Sequence, residues 1–178
     1  ALDLLARHDA ARVQREPGHR LLPRERPDAH AVEPAHGLGE RAADAAGIAA
    51  RKRWEVAENA VSSPYLAKKG VDAHGIRIEP ADQTLLVPVM DVTSRFCGLQ
   101  LIYSDPAIIR EKKRDKDFWP AGAVTSNHFY LLGGIPRRIL LIAEGFATAG
   151  TLHQATGLPV AVAFFSGNLL PVAQQLSK

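Results

Sequence analysis

One stretch constrains the fold more than any other: RRILLIAEGFATAGTLHQATGLPVAVAFFSG, residues 137–167. Two apolar runs, ILLIA and LPVAVAFF, lack the alternation of a strand with one wet face, so each is expected to be covered on both sides. Between them FATAGTLHQAT has helical composition and ends at Gly157, a natural stop. Strand, helix, strand with doubly buried strands predicts a parallel βαβ unit. A lone acid, Glu144, interrupts the apolar run where the first strand should end, followed by Gly145 and the small residues Ala147, Thr148 and Ala149.

In open parallel sheets ligands gather at the carboxyl ends of the strands. A glutamate there is open to two readings. It can act as general acid or base, or hold a divalent metal directly or through water. It can also be a solvated residue favoured by the dipole of the following helix. Gly145 lets the backbone turn tightly and a ligand come close. Asn168, expected at the same edge after the second strand, can bind a phosphate or cap the last helix, NLLPVAQQLSK.

Upstream the signals change. IAARKRWEVAENAV has a helical pattern, with Ile48, Ala49, Trp54, Ala57 and Val61 available for one face. SSPYLAKKGV gives a cap at Ser63, an early proline and a stop at Gly70. TLLVPVMD, FCGLQLIYS and HFYLLGG read as strands, the first two joined by a hairpin turn in which Asp91 is a turn former. Between the last two lies REKKRDKDFWPAGA. Its Lys112, Lys113, Arg114 and Lys116 are either a phosphate-contacting loop, with Phe118 and Trp119 stacking on bases, or a solvated loop whose charges Glu111, Asp115 and Asp117 offset. Arg137 and Arg138 are expected at the surface, at the far end of the Glu144 strand, and His153 in a surface or packing role.

Residues 1–47 differ in kind, with no Lys, Ile, Ser, Thr, Asn, aromatic, Met or Cys. ALDLLARHDAARVQRE has helical spacing, but four prolines and three glycines interrupt Pro17–Gly39. A partly disordered extension is expected. The composition also matches GC-rich DNA read in a shifted frame. His8, His19, His30 and His36 have no cysteine beside them, which argues against a zinc site.

The 178 residues suffice for one domain or two small ones. A net charge of +3 allows a polyanionic partner without requiring one. The single Cys97 excludes an internal disulfide framework and fits a reducing cytoplasm. No apolar run approaches the roughly 20 residues of a membrane span.

Taken together, EGFATAGTLHQATGLPVAVAFFSGNL, SSPYLAKKGV, LLVPVMDVTSRFCGLQLIY and KKRDKDFWPAGA resemble, in order, blocks of the TOPRIM (topoisomerase–primase) primases of plasmids, phages and integrated mobile elements. The resemblance runs from about Ile48 to Leu176. It implies an α/β (α+β overall) fold: an atypical extension 1–47, a helical segment 48–75, a β-rich subdomain 76–135, and the first part of a TOPRIM-like βαβ unit, 136–178. It implies primer synthesis on single-stranded DNA from nucleotides with Mg²⁺, Glu144 serving as general acid or base and metal ligand. Partners implied are single-stranded DNA, nucleotides, and a helicase or remaining primase segment, in the cytoplasm. The second acidic motif of such domains, Asp-x-Asp, is missing, since no aspartate follows Asp117. The expectation is a partial domain, weak or inactive alone. Two other readings stay open: a non-catalytic nucleic-acid-binding module, and an unrelated small α/β enzyme using Glu144.

Overall fold

The computed structural model describes residues 36–177. The expectations for residues 1–35, including the helical spacing near the start and three of the four histidines, lie outside the described residues.

Helix α1, His36–Val56, begins twelve residues before the expected start at Ile48. Its inner face is made of Gly47 and Ala50, with Trp54 half-buried and Ala57 buried just past its end, while Ile48 and Val61 from the expected face are 59% and 87% exposed. Small residues face the sheet because the helix lies very close to it: a Cβ on Gly47 would collide with the Phe96 carbonyl oxygen. After a two-residue strand β1, Glu58–Asn59, comes helix α2, Pro64–Lys69. It forms as its sequence predicts, with the Ser63 hydroxyl accepting from the Leu66 N–H and Gly70 closing it at φ 64°.

Strands β2 (Arg77–Glu79), β3 (Thr84–Met90), β4 (Phe96–Ile102) and, after helix α3 (Pro106–Lys112), β5 (Lys116–Trp119) complete an antiparallel sheet in the order β1-β2-β3-β4-β5. β3 and β4 form the expected hairpin. Asp91 ties its turn, accepting from the Thr93 N–H and hydroxyl and from the Arg95 N–H and guanidinium. Burial alone would push the Asp91 carboxyl up; the hydrogen bonds from Thr93 and Arg95 outweigh it and hold the group below its ordinary value.

The second sheet contains β6 (Tyr130–Leu132), β7 (Leu141–Ala143) and β8 (Val160–Val162) in the order β6-β8-β7. β7 and β8 are parallel and joined by helix α4, Phe146–Thr156, the βαβ unit expected from the sequence. β6 adds an antiparallel strand on the other side of β8. A short 3₁₀ turn, Ser166–Asn168, leads into helix α5, Leu169–Leu176.

The central strands β3 and β4 of the first sheet and β8 of the second are covered on both faces, which is why they are apolar without alternation. On one side of the first sheet Leu86, Leu99, Leu101 and Tyr103 pack with Ala50 of α1 and Ala57 just after it. On the other, Leu85, Val87, Val89 and Ile102 share a core with Leu132, Val160, Val162 and Phe146 of the second sheet and α4. That core also takes Tyr65 and Leu66 of α2, so it draws on the segments 48–75, 76–135 and 136–178 alike. Reciprocal backbone hydrogen bonds between Met90 and Phe129 join the sheets. Beyond the second sheet, Ala161, Ala163 and Val172 form a smaller core with α5. The result is an α+β architecture.

Candidate nucleic-acid interface

Glu144 follows β7 directly and is exposed. Gly145, extended at φ −122°, is the N-cap of α4, and no side chain caps that helix. Glu144 therefore makes no capping hydrogen bond and stands exposed before the start of α4. Its carboxylate stands at the carboxyl edge of the parallel pair. The Ala163 N–H donates to the Ala143 carbonyl across that pair, so the chain leaving β8 runs beside Glu144.

Two contacts bring the basic segment to the same edge. Phe118 in β5 packs edge-on against Phe164 just after β8, ring centroids 5.8 Å apart. Tyr65, at the start of α2, lies between Asp115 of the basic turn and the first turn of α4. Burial pushes its hydroxyl pKa up and the Asp115 carboxylate adds to this, while the Ala147 backbone N–H pulls the other way. The Phe118–Phe164 contact thus brings the strand after the Lys113–Arg114 turn to the chain leaving β8 beside the Glu144–Gly145 corner, with Tyr65 and Asp115 lining one cavity on its flank.

The basic residues are not equivalent. Lys112 ends α3, its ammonium 5.6 Å from the centroid of the Tyr103 ring. Lys113 is exposed, with a left-handed backbone at φ 55° that closes the helix. Arg114 is paired with Asp117 at 3.1 Å, as the offset-charge reading anticipates. Lys116 opens β5 and is half-buried. Phe118 does not stand free to stack on bases, since it packs on Phe164, and the Arg53 guanidinium lies over the Trp119 ring, 4.9 Å from its centroid.

Asn168 departs from both of its expected roles. It is 1% exposed and makes no capping bond to α5. Its Oδ1 accepts from the Asn127 N–H at 2.8 Å, and its Nδ2 donates to the carbonyls of Thr125, His128 and Ala163 at 3.3, 2.9 and 2.9 Å. These bonds engage its amide with backbone and fasten the 125–128 loop to the end of β8. Nothing remains to hold a phosphate. Arg137 and Arg138 are exposed beside Leu158 and Pro159, at the opposite end of the parallel strands. His153 packs edge-on against His74, 5.1 Å between centroids, with its Nδ1 2.7 Å from the Leu158 carbonyl.

Lys68 and Lys69 were not singled out by sequence. They line a cavity of about 180 Å³ with Tyr65, Ser104 and Asp115, on the flank of the basic turn. Their signal was the motif PYLAKKG, which read as helix grammar and hid two exposed cations at a helix C-terminus.

Mg²⁺ prefers six oxygens in octahedral geometry and is normally held by more than one group. Among the described residues no three His, Cys, Asp or Glu side chains come together. Glu144 offers a single carboxylate, so the residues present do not by themselves fit a Mg²⁺ site.

No protein-family model matches the chain, and no solved structure matches it significantly. Two curated relatives do, both DNA primase TraC of Escherichia coli. One is 32% identical over 117 residues, which is 64% of this chain and 8% of the relative. The other is 28% identical over 169 residues, 83% of this chain and 15% of the relative. The chain thus spans a small part of the length of either. The longer match leaves only about 30 residues of this chain outside it, so it takes in both Lys112–Lys116 and Glu144. Over that span the chain is related in sequence to DNA primases.

Proposed function

We propose that this chain is the TOPRIM-containing part of a primase of a mobile element and acts on single-stranded DNA during primer synthesis. One observation carries the reading: the stretch similar to the TraC primases includes an exposed glutamate at the carboxyl edge of a parallel βαβ unit, with the strand after a cationic turn packed on the same edge through Phe118 and Phe164. Nucleotidyl transfer is mainly positioning and charge neutralisation. Lys112, Lys113 and Lys116 are suited to hold phosphates near the edge, with Arg114 contributing once released from Asp117. Gly145 leaves the α4 N-terminus open to a close approach. Glu144 is suited to hold or move a proton at its carboxylate. The reaction is of the Mg²⁺-dependent class, and the residues present lack the acidic partners a metal site needs. Activity of the chain alone is accordingly expected to be weak.

That lack favours a second reading, a nucleic-acid-binding module that keeps the fold without the chemistry. The discriminating experiment is primer synthesis on single-stranded DNA with Mg²⁺ and nucleotides, comparing the chain with Glu144→Gln. The primase reading expects measurable product that falls at least about a hundredfold in the variant, the scale of losing a catalytic proton-transfer group. Equal product from both proteins removes Glu144 from the mechanism. No product from either, with DNA binding retained, selects the module.

A further inference from the structure

A cleft of about 320 Å³ opens on the face of the first sheet turned away from the second, between α1 and α3. That volume is in the range of small-molecule pockets. Its floor is Leu101, Tyr103 and Trp119, and its walls are Arg53 from α1 and Ile108, Glu111 and Lys112 from α3. Its lining includes neither Glu144 nor Gly145, though Lys112 and Phe118 border both.

Two features mark it as a binding site. Thr84 lines the cleft, is 1% exposed, and its hydroxyl has no hydrogen-bond partner. A buried hydroxyl left unpaired costs on the order of 1–3 kcal/mol, which a ligand's polar group would recover. The second feature is the charge left over after internal pairing. Arg53 is held by both carboxylate oxygens of Glu79 at 2.7–2.8 Å, and Asp117 by Arg114. Asp82 uses one oxygen on the Thr84 N–H. The lining charges outside those two pairs are the carboxylates of Asp82 and Glu111 against the Lys112 ammonium.

A cleft with excess carboxylate repels phosphate. It suits a flat, uncharged group with several N–H donors over an aromatic and aliphatic floor. We propose that this cleft takes a nucleobase with an exocyclic amino group, guanine above all, through the Glu111 carboxylate and the Thr84 hydroxyl. Guanine presents adjacent ring and amino N–H donors that one carboxylate accepts in parallel, whereas thymine has a single N–H between two carbonyls. Lys112, at the rim, is shared with the cationic turn, so a base in the cleft keeps its own phosphate outside among Lys112, Lys113 and Arg114. The assignment to a base of the DNA strand rests on the proposed function; the chemistry of the cleft does not.

The test uses nucleosides, which carry no phosphate. The full chain is titrated with guanosine, cytidine, thymidine and arginine amide, following amide NMR shifts of Thr84, Tyr103 and Trp119. Guanosine is expected to shift these signals, with thymidine about tenfold weaker or more. Thr84→Val and the exposed Glu111→Gln are each expected to weaken guanosine about fivefold, with the thermal unfolding midpoint unchanged for Glu111→Gln. Thymidine binding as well as guanosine, unchanged affinity in both variants, or shifts from arginine amide alone would overturn the proposal. Loss of nucleoside binding with salt-dependent DNA binding intact sinks the cleft only. Cleft binding without DNA binding sinks the primase reading only.

Discussion

Asn168→Ala should be among the most damaging single polar substitutions in this chain. The side chain is 1% exposed and joins four backbone groups from two places: Asn127 and the carbonyls of Thr125 and His128 in the loop, and Ala163 at the end of β8. Each bond contributes about 0.5–1.5 kcal/mol net, and a buried partner left unpaired costs about 1–3 kcal/mol. The Ala163 carbonyl is the most buried of the four, while water can reach part of the others, so the total is about 3 kcal/mol. For a body of this size that lowers the unfolding midpoint by roughly 10 °C. Asn168→Asp keeps the acceptor for Asn127 but sets a carboxylate against three carbonyl oxygens, and should be at least as destabilising. Thermal unfolding followed by far-UV circular dichroism measures both. A loss within about 1 kcal/mol, as for an exposed cap or phosphate contact, would refute the reasoning.

Two further substitutions test the packing and the hairpin. Gly47→Ala gains about 1 kcal/mol in helix propensity but drives a methyl into the Phe96 carbonyl, at an overpacking cost of about 1–3 kcal/mol, so denaturant unfolding should show no gain and a net loss near 1 kcal/mol; a gain would mean that α1 does not lie against β4 as described. Asp91 is held below its ordinary 3.8, so its stabilisation is present above that pH and is lost as pH falls through the lower folded value. The stability gap between the wild type and Asp91→Asn should therefore be full near neutrality and close in acid, and a gap independent of pH would contradict the assigned hydrogen bonds.

The parts of the fold legible in the sequence are those whose causes are local. The βαβ unit announces itself through two doubly apolar runs and Gly157, the hairpin through Asp91 between two strands, and α2 through Ser63, Pro64 and Gly70. The early start of α1 was not legible because the residues the helix buries are Gly47 and Ala50, which leave no hydrophobic stripe; periodicity picked Ile48 instead, a residue on the wet side. α3 was hidden by its charges. Of the site, Glu144 and Gly145 were placeable because a strand end and a helix start are both local signals. Asn168 was not, since three of its four backbone partners lie at least forty residues away. Nor was Tyr65, whose role depends on Asp115 and Ala147 converging on it from separate elements.

The central claim, that the Glu144 edge and its cationic turn face a nucleic-acid strand, is tested most directly by single-stranded DNA affinity against salt. The measurement compares the chain with a variant carrying Lys112, Lys113, Arg114 and Lys116 as glutamine. Each phosphate that the variant no longer neutralises lowers the log–log salt slope by about 0.7, so the account predicts a slope smaller by about 2–3. No salt-dependent binding by the unaltered chain, or the same slope in both proteins, would contradict it.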